Sequence, residues 1–495
     1  MMYGEEKSDS LIVAAKQANN PKGAESVERR SGAKGNAEQP HMRRTQSRES
    51  MSQRLSRVRE AAKQRKKERF TALFHLLTVE ALEAAFLSLS RKAAAGVDGI
   101  RWMDYAGNMK NNITDLHRRL HQGSYRAQPG RRHYIPKADG KQRPLGIASL
   151  EDKIVQYALV KILNAVYEND FMGFSYGFRP GRNQHDALDA LATGLVRTNV
   201  NWVLDADISQ FFDRVSHEWL IRFTEHRIGD RRVIRLIRKW LTAGTSEEGQ
   251  WRATEEGTPQ GAVISPLLAN IYLHYVFDLW AHQWRRRYAT GNVVMVRYAD
   301  DIVIGFDKRY DARRFRIAMQ RRLRKFGLTV HTEKTRLMEF GRFAAENRAI
   351  RGKGKPETFN FLGFTHISGK DRNGRFMLIR KTRRDRMTAT LKAIKDGLRR
   401  RWHYSIPEQG KWLRRVVQGY LNYHSVPGNF PTMQKFRTHV TNLWRRALRR
   451  RSQKDDTTWT KANKLAAAWL PRVRVLHPWP VERFTARHPR QEPGA

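Results

Sequence analysis

Tyr298-Ala299-Asp300-Asp301 decides how this chain is read. Val293-Val294-Met295-Val296 runs before it and Ile302-Val303-Ile304-Gly305-Phe306 after it, both apolar and strand-like. The pattern predicts a β-hairpin that presents two adjacent carboxylates near its turn. Neighbouring acids repel, so packing alone does not favour them, whereas a bound divalent cation reverses the cost. A plain polar turn is the competing reading, because Asp is common in turns.

A second acidic strand shifts the balance. In Val203-Leu204-Asp205-Ala206-Asp207-Ile208 the acids alternate. Side chains two apart share a face, so Asp205 and Asp207 point the same way. An acid on an otherwise apolar strand is costly unless it is paired or metal-bound. Three carboxylates from two adjacent strands can clamp two Mg²⁺ ions roughly 4 Å apart, the arrangement that nucleotidyl transfer uses.

The rest of the chain supplies a context. Its 495 residues suggest several domains. Lys and Arg number 94 against 48 Asp and Glu, a formal net charge of +46. Such a surface attracts polyanions: nucleic acid first, an anionic membrane second, with a merely soluble basic protein as the third reading. The absence of cysteine excludes disulfides, cysteine zinc ribbons and thiol nucleophiles. No apolar run approaches the roughly 20 residues of a membrane helix. No membrane partner is expected, and the location expected is cytoplasmic, of bacterial or organellar type.

Residues 1–67 are rich in Ser, Gln, Arg, Lys, Gly and Ala, the composition of a basic arm disordered when free, with its end, Arg54–Arg69, expected to become helical on RNA. Residues 68–375 have an α/β texture. Helical periodicity appears in Ile154, Val155, Ala158, Leu159, Ile162, Leu163 and Val166, and again from Leu267 to Leu279, with Ser265 and Pro266 as cap and first turn. Residues 376–454 read as helical and basic. Trp412, Leu413, Val416, Val417, Tyr420 and Leu421 share one face, and Met433, Phe436, Val440, Leu443 and Ala447 form the inner face of a second helix. Residues 455–495 form a small basic module with Trp459, Trp469, Trp479 and several prolines.

The ordered blocks along the chain resemble the reverse transcriptases encoded by group II introns. Gly96-Val97-Asp98-Gly99 resembles the family's N-terminal block. Tyr134-Ile135-Pro136-Lys137 with Arg143-Pro144-Leu145-Gly146-Ile147 resembles its fingers hairpin, and Ser175-Tyr176-Gly177-Phe178-Arg179-Pro180-Gly181-Arg182 the next block. Asp207-Ile208-Ser209-Gln210-Phe211-Phe212-Asp213 resembles the first catalytic block. Gly257-Thr258-Pro259-Gln260-Gly261 and Ser265-Pro266-Leu267-Leu268-Ala269-Asn270 precede the acidic hairpin as in the family. Gly327-Leu328, Glu333-Lys334-Thr335 and Phe361-Leu362-Gly363-Phe364 follow it, and Gly419–Tyr423 with Val426–Asn429 resembles the thumb or maturase domain. Any one block is weak; the series in order, over about residues 70–480, is specific.

The resemblance implies an α+β fold: a right-hand polymerase, with fingers and an antiparallel-sheet palm, followed by an all-helical thumb or maturase (X) domain. It implies that Asp207, Asp300 and Asp301 are catalytic and hold two Mg²⁺ ions, with the Ile208 main-chain carbonyl also facing a metal. Asp205 matches a frequent neighbour that is not needed for metal. Lys137 and Arg143 would grip the dNTP triphosphate. Phe212 would be a steric gate against a ribose 2′-hydroxyl, with core packing beside Phe211 as the alternative. Gln260, Tyr298 and Lys334 would lie at the nucleotide, Lys334 matching a lysine proposed to protonate pyrophosphate, with a solvated surface lysine as the alternative. Arg179 and Arg182 are candidate template-backbone or structural contacts rather than catalytic ones. Arg445, Arg446, Arg449 and Arg450 are candidate contacts to nucleic-acid phosphates. The implied partners are group II intron RNA, an RNA template with a DNA primer, and target DNA. Many relatives end in an HNH endonuclease with zinc-binding cysteine pairs; without cysteine, none is expected here. A splicing maturase acting mainly by RNA binding, a retron or diversity-generating reverse transcriptase, and an RNA-dependent RNA polymerase are the rival readings.

Overall fold

The computed structural model describes residues 50–136, 142–451 and 457–487, which cluster into two compact units. One comprises residues 172–209 and the chain from 276 onward; the other comprises residues 50–171 and 210–275.

The first unit is organised by a four-stranded antiparallel sheet. Its order is Val293–Tyr298, Asp301–Phe306, Trp202–Asp207, Arg336–Glu339. The two middle strands are apolar on both faces, with Val203, Leu204, Val303 and Ile304 fully buried. Gln184–Arg197 and Arg309–Arg324 pack on this sheet as amphipathic helices. The first is fixed at its start by a capping box between Asn183 and Asp186. A three-stranded sheet follows, Phe359–Phe361, Phe364–Lys370 and Phe376–Thr382. The domain boundary expected at residue 376 therefore falls inside a hairpin, since Phe376 pairs with Lys370.

The helical region begins at Arg384. Helices Arg384–Arg399, Ile406–His424, Phe430–Arg449 and Trp459–Trp469 share one apolar core. The expected inner face is there: Leu413, Val417, Met433, Phe436 and Val440 are fully buried. Trp444 joins them, its indole N–H donating to Gln409 Oε1 at 2.9 Å. The tail expected as a separate module contributes Ala466 and Leu470 to the same core. Its last helix, Pro480–Arg487, leaves that core and packs on Gln184–Arg197. There Arg483 and Arg380 both grip the buried Asp189 carboxylate.

In the second unit the expected hairpin forms, Gly130–Pro136 against Gln142–Ile147, and two short strands extend it to four. The helix Leu150–Tyr167 is its spine, with every apolar residue that the periodicity selected buried. The arm expected to be disordered through residue 67 differs in its described part. Met51–Gln64 is a helix that starts with a capping box between Ser50 and Gln53 and packs on Leu150–Tyr167. Its exposed basic face masks a narrow buried edge at Ala62 in the composition. Residues 1–49 lie outside the described residues, as does Lys137. No helix among the described residues is long and apolar enough to cross a membrane.

Candidate active site

In the first unit, pairing places Asp207 directly opposite Asp301, at the end of the central strand pair. Tyr298 closes the hairpin on the other side of Asp301. Like charges in facing cross-strand positions are destabilising without a counter-charge. Asp301 lies at the exposed rim, yet its carboxyl is pushed up to about 7, first by loss of solvation and then by the charges of Asp300, Asp207 and Asp205, with Lys334 opposing. Asp205, opposite Arg336, is pushed up to about 6 by burial and by Asp207. The Lys334 ammonium donates to Asp207 Oδ2 at 2.8 Å. The carbonyl of Asp207 accepts from His331 N at 2.8 Å, and Ile208 continues the ladder by bridging Val330.

The hairpin turn is held from beneath. Ala299 has φ +56°, a left-handed conformation that costs a non-glycine residue roughly 1–2 kcal/mol. Arg297 supplies the restraint. Its guanidinium donates to Ala299 O at 3.0 Å, to both oxygens of Asp278 at 2.7 and 2.6 Å, and to Ser175 Oγ at 2.7 Å. Arg297 and Asp278 are fully buried. The segment around Ser175 lies along the edge of Val293–Tyr298, with Arg297 N donating to Phe174 O and Tyr176 N to Arg297 O, each at 2.8 Å. Gly177 is required there, because a Cβ on it would stand 2.4 Å from Ala299 N.

Of the two roles expected for Arg179 and Arg182, template contact or structural contact, the hydrogen bonds show the structural one. Arg179 is buried and donates to the carbonyls of Met172 and Ser175, both at 2.8 Å. Arg182 caps the carbonyls of Gly173 and Ser175 and lies over the Tyr176 ring. The turn-rich loop leaves carbonyls without ladder partners, and these guanidiniums satisfy them. Of the basic cluster after the thumb-like block, Arg446, Arg449 and Arg450 are exposed, whereas Arg445 folds over the Trp459 ring.

In the second unit, Arg143, Gln260 and Asp213 form a chain. Arg143 Nε donates to Gln260 Oε1 at 2.9 Å, and Gln260 Nε2 donates to Asp213 Oδ1 at 2.7 Å. The Gly257–Gln260 loop is tied to the Phe211–Asp213 turn by Thr258 N donating to Phe212 O at 2.7 Å, and to the hairpin by Gly146 N donating to Gln260 O at 2.6 Å. Phe212 is half-buried and meets Phe211 edge-on. The structure thus joins Arg143, Phe212 and Gln260 through neighbouring loops, and adds Asp213 as their link. Arg297, Asp278 and Asp213 were not singled out from the sequence.

Among the described residues no group of three acidic or histidine side chains is gathered closely enough to form a metal cage as it stands. The donor set nevertheless fits a hard divalent cation. It offers carboxylate oxygens from Asp207, Asp300 and Asp301, and Asp301, raised first by burial and then by the neighbouring acids, is a carboxylate whose charge a cation would offset.

Residues 135–366 match the family model for reverse transcriptase, the RNA-dependent DNA polymerase. The chain therefore carries a reverse transcriptase domain, and the acid cluster falls within it. It is 42% identical over 214 residues to protein YkfC of Escherichia coli, a match covering 42% of this chain and 55% of that protein. It is 37% identical over 222 residues to the group II intron-encoded protein LtrA of Lactococcus lactis, covering 44% of this chain and 37% of that one. It is also 47% identical over 146 residues to an uncharacterized 91 kDa protein in the cob intron of Schizosaccharomyces pombe, covering 30% and 18%. The matches thus span roughly half or less of the relatives' own lengths. One of these relatives is by its name a protein encoded by a group II intron.

Proposed function

We propose that the protein is the RNA-directed DNA polymerase of a mobile group II intron, which copies intron RNA into DNA and assists splicing of that RNA. The observation that carries the reading is the facing pair Asp207 and Asp301, with Asp300 in the adjoining turn. In this reading the antiparallel sheet is a palm, the second unit's hairpin belongs to the fingers, and the helices from Arg384 are the thumb or maturase domain.

Asp207, Asp300, Asp301 and the Ile208 carbonyl would hold the divalent cations, taken here as two Mg²⁺. When bound, such ions supply activation of a primer 3′-hydroxyl and neutralisation of the triphosphate and leaving pyrophosphate. The protein's own groups do the rest. Lys334, which contacts Asp207, would give charge or a proton to pyrophosphate. Lys137 and Arg143 grip the triphosphate of a dNTP; the Arg143–Gln260–Asp213 chain holds Arg143 and Gln260 in fixed orientation. Phe212 is assigned the exclusion of a ribose 2′-hydroxyl, and Tyr298 a contact to the nucleotide. Arg446, Arg449 and Arg450 leave guanidiniums in solvent for phosphates of intron RNA or of the primer–template duplex. Target DNA is the third nucleic acid the reading requires.

The test is extension of a DNA primer annealed to an RNA template with dNTPs and Mg²⁺. Extension is expected. Tight, splicing-active binding of intron RNA with no extension would replace the polymerase reading by that of a binding maturase.

A further inference from the structure

Away from the residues discussed so far, the second unit carries a concentrated positive groove. It starts with the sequence Arg231-Arg232-Val233-Ile234-Arg235-Leu236-Ile237-Arg238-Lys239-Trp240-Leu241, in the helix Arg231–Thr242. One face is wholly apolar: Val233, Ile234, Leu236, Ile237, Trp240 and Leu241 are all buried. Arg231, Arg235 and Arg238 recur at the spacing that aligns side chains on one helical face, and all three are exposed. The rise of about 1.5 Å per residue sets them in a row roughly 10 Å long.

A second element converges on that row. Residues 69–74 are laced to residues 227–230: Phe70 N donates to Arg227 O and Gly229 N to Phe70 O, each at 2.8 Å. Asp230, which caps the basic helix, also accepts from Leu73 N and Phe74 N at 2.9 and 2.8 Å. This brings Arg69 to the same groove, whose volume is about 410 Å³. Four arginines line it, with Glu225 as its one acid. Glu225 stands 3.5 Å from Arg238. Arg235 is shared with an adjoining groove of about 160 Å³ lined by Arg232, Lys239 and His121.

Four guanidiniums converging on a concavity with a single carboxylate repel one another unless a polyanion enters. Guanidinium is the planar fork that pairs bidentately with phosphate oxygens. A concave site on one helix fits the raised phosphate backbone of a folded nucleic acid better than a flat bilayer. We propose that this groove binds the phosphodiester backbone of folded RNA; the choice of RNA over DNA rests on the function proposed above. The contact is with phosphates and hence independent of sequence. It uses no residue of the acid cluster, so it serves retention of the RNA rather than chemistry.

The experiment measures affinity of the full-length protein for a fluorescent RNA stem-loop over a series of salt concentrations. It compares wild type with Arg231→Gln/Arg235→Gln/Arg238→Gln, all exposed positions. A control with equal charge loss is Arg313→Gln/Arg321→Gln/Arg324→Gln, exposed on another helix. Duplex DNA of the same sequence and anionic phosphatidylserine vesicles are the comparison ligands. The groove variant is expected to bind the RNA at least about tenfold more weakly, with a slope of log K against log salt shallower by up to about 2–3, roughly one unit per phosphate contact. The control variant should change far less, and primer extension at saturating primer–template should survive in both. Equal losses in groove and control variants, an unchanged salt slope, an equal loss on duplex DNA, or a loss confined to vesicles would each overturn the assignment. If wild type binds the RNA through the groove but never extends a primer, the polymerase reading fails and the groove stands.

Discussion

The guanidinium of Arg297 closes on the carboxylate of Asp278 with two hydrogen bonds, 2.7 and 2.6 Å long, and neither side chain reaches solvent. The same guanidinium holds the carbonyl of Ala299, the left-handed residue from which Asp300 and Asp301 project. Burying such a pair gives little net stability, but breaking it exposes the full cost of an unpaired buried charge. Its value here is therefore positional: it fixes a strained turn that carries two of the three acids.

Arg297→Met should lower stability by about 3–5 kcal/mol, because Asp278 is left unpaired in the interior. Arg297→Met/Asp278→Leu should regain most of that loss in urea denaturation while primer extension stays depressed, since Ala299 has lost its donor. Recovery of extension along with stability would mean that the pair serves packing alone.

Gly177→Ala places a methyl group within 2.4 Å of Ala299 N. The backbone must shift, and the acidic turn with it. A misplacement of about 1 Å at a reacting centre costs on the order of 10²-fold in rate. Extension kinetics should show that loss in kcat with little change in primer–template affinity. Unaltered kcat would place the accommodation in the Ser175 segment instead.

Phe212→Val should raise incorporation of rNTP relative to dNTP by roughly tenfold to a hundredfold, the range over which a pocket discriminates by one small group. Competition of the two nucleotides in single-turnover extension reads the ratio directly. A destabilised variant with an unchanged ratio would assign Phe212 to core packing beside Phe211.

Acid should unfold the first unit in part through His366. It is fully buried, stacked on Phe359 at 4.7 Å, and burial with the charge of Arg380 lowers its imidazole to about 3. The unfolded chain takes up this proton below about 6.5 while the folded chain does not until about 3, so the stability is full above 6.5 and is lost as pH falls between the two. Each pH unit in that window costs on the order of 1 kcal/mol. His366→Phe keeps the ring and removes the proton site, so its denaturation midpoint should depend less on pH from 6.5 downward. Parallel pH profiles for the two proteins would assign the acid sensitivity to other groups.

The acid cluster was legible because its signal is local. Alternation put Asp205 and Asp207 on one face, and two apolar runs around Tyr298–Asp301 made a hairpin; the register Asp207 to Asp301 follows once those strands pair. The Arg297–Asp278 pair was not legible as a pair, because 19 residues separate its members and only the fold joins them. Yet half of it was available: Arg297 is a charge inside the apolar strand Val293–Tyr298, and the rule applied to Asp205 demands a partner for it too. Arg179 and Arg182 stayed divided between template and structural contacts because a net charge of +46 makes every arginine look like a phosphate contact. Their loop of Gly and Pro turns was the better guide, since it leaves carbonyls to be satisfied. The helix Met51–Gln64 was legible only in part: the stretch Arg54–Arg69 was expected to turn helical on RNA, whereas the capping box at Ser50 and Gln53 starts a helix in the protein itself.

The central claim is that Asp207, Asp300 and Asp301 form one metal-dependent polymerase centre. Its most direct test is single-turnover extension of a DNA primer on an RNA template, with Mg²⁺ titrated, for wild type, Asp207→Asn and Asp300→Asn. The account predicts Mg²⁺-dependent extension by wild type and losses on the order of 10²–10³-fold or more in each variant, the scale of removing one preorganised group that stabilises developing charge. Near-normal extension by either variant at saturating Mg²⁺ would contradict it.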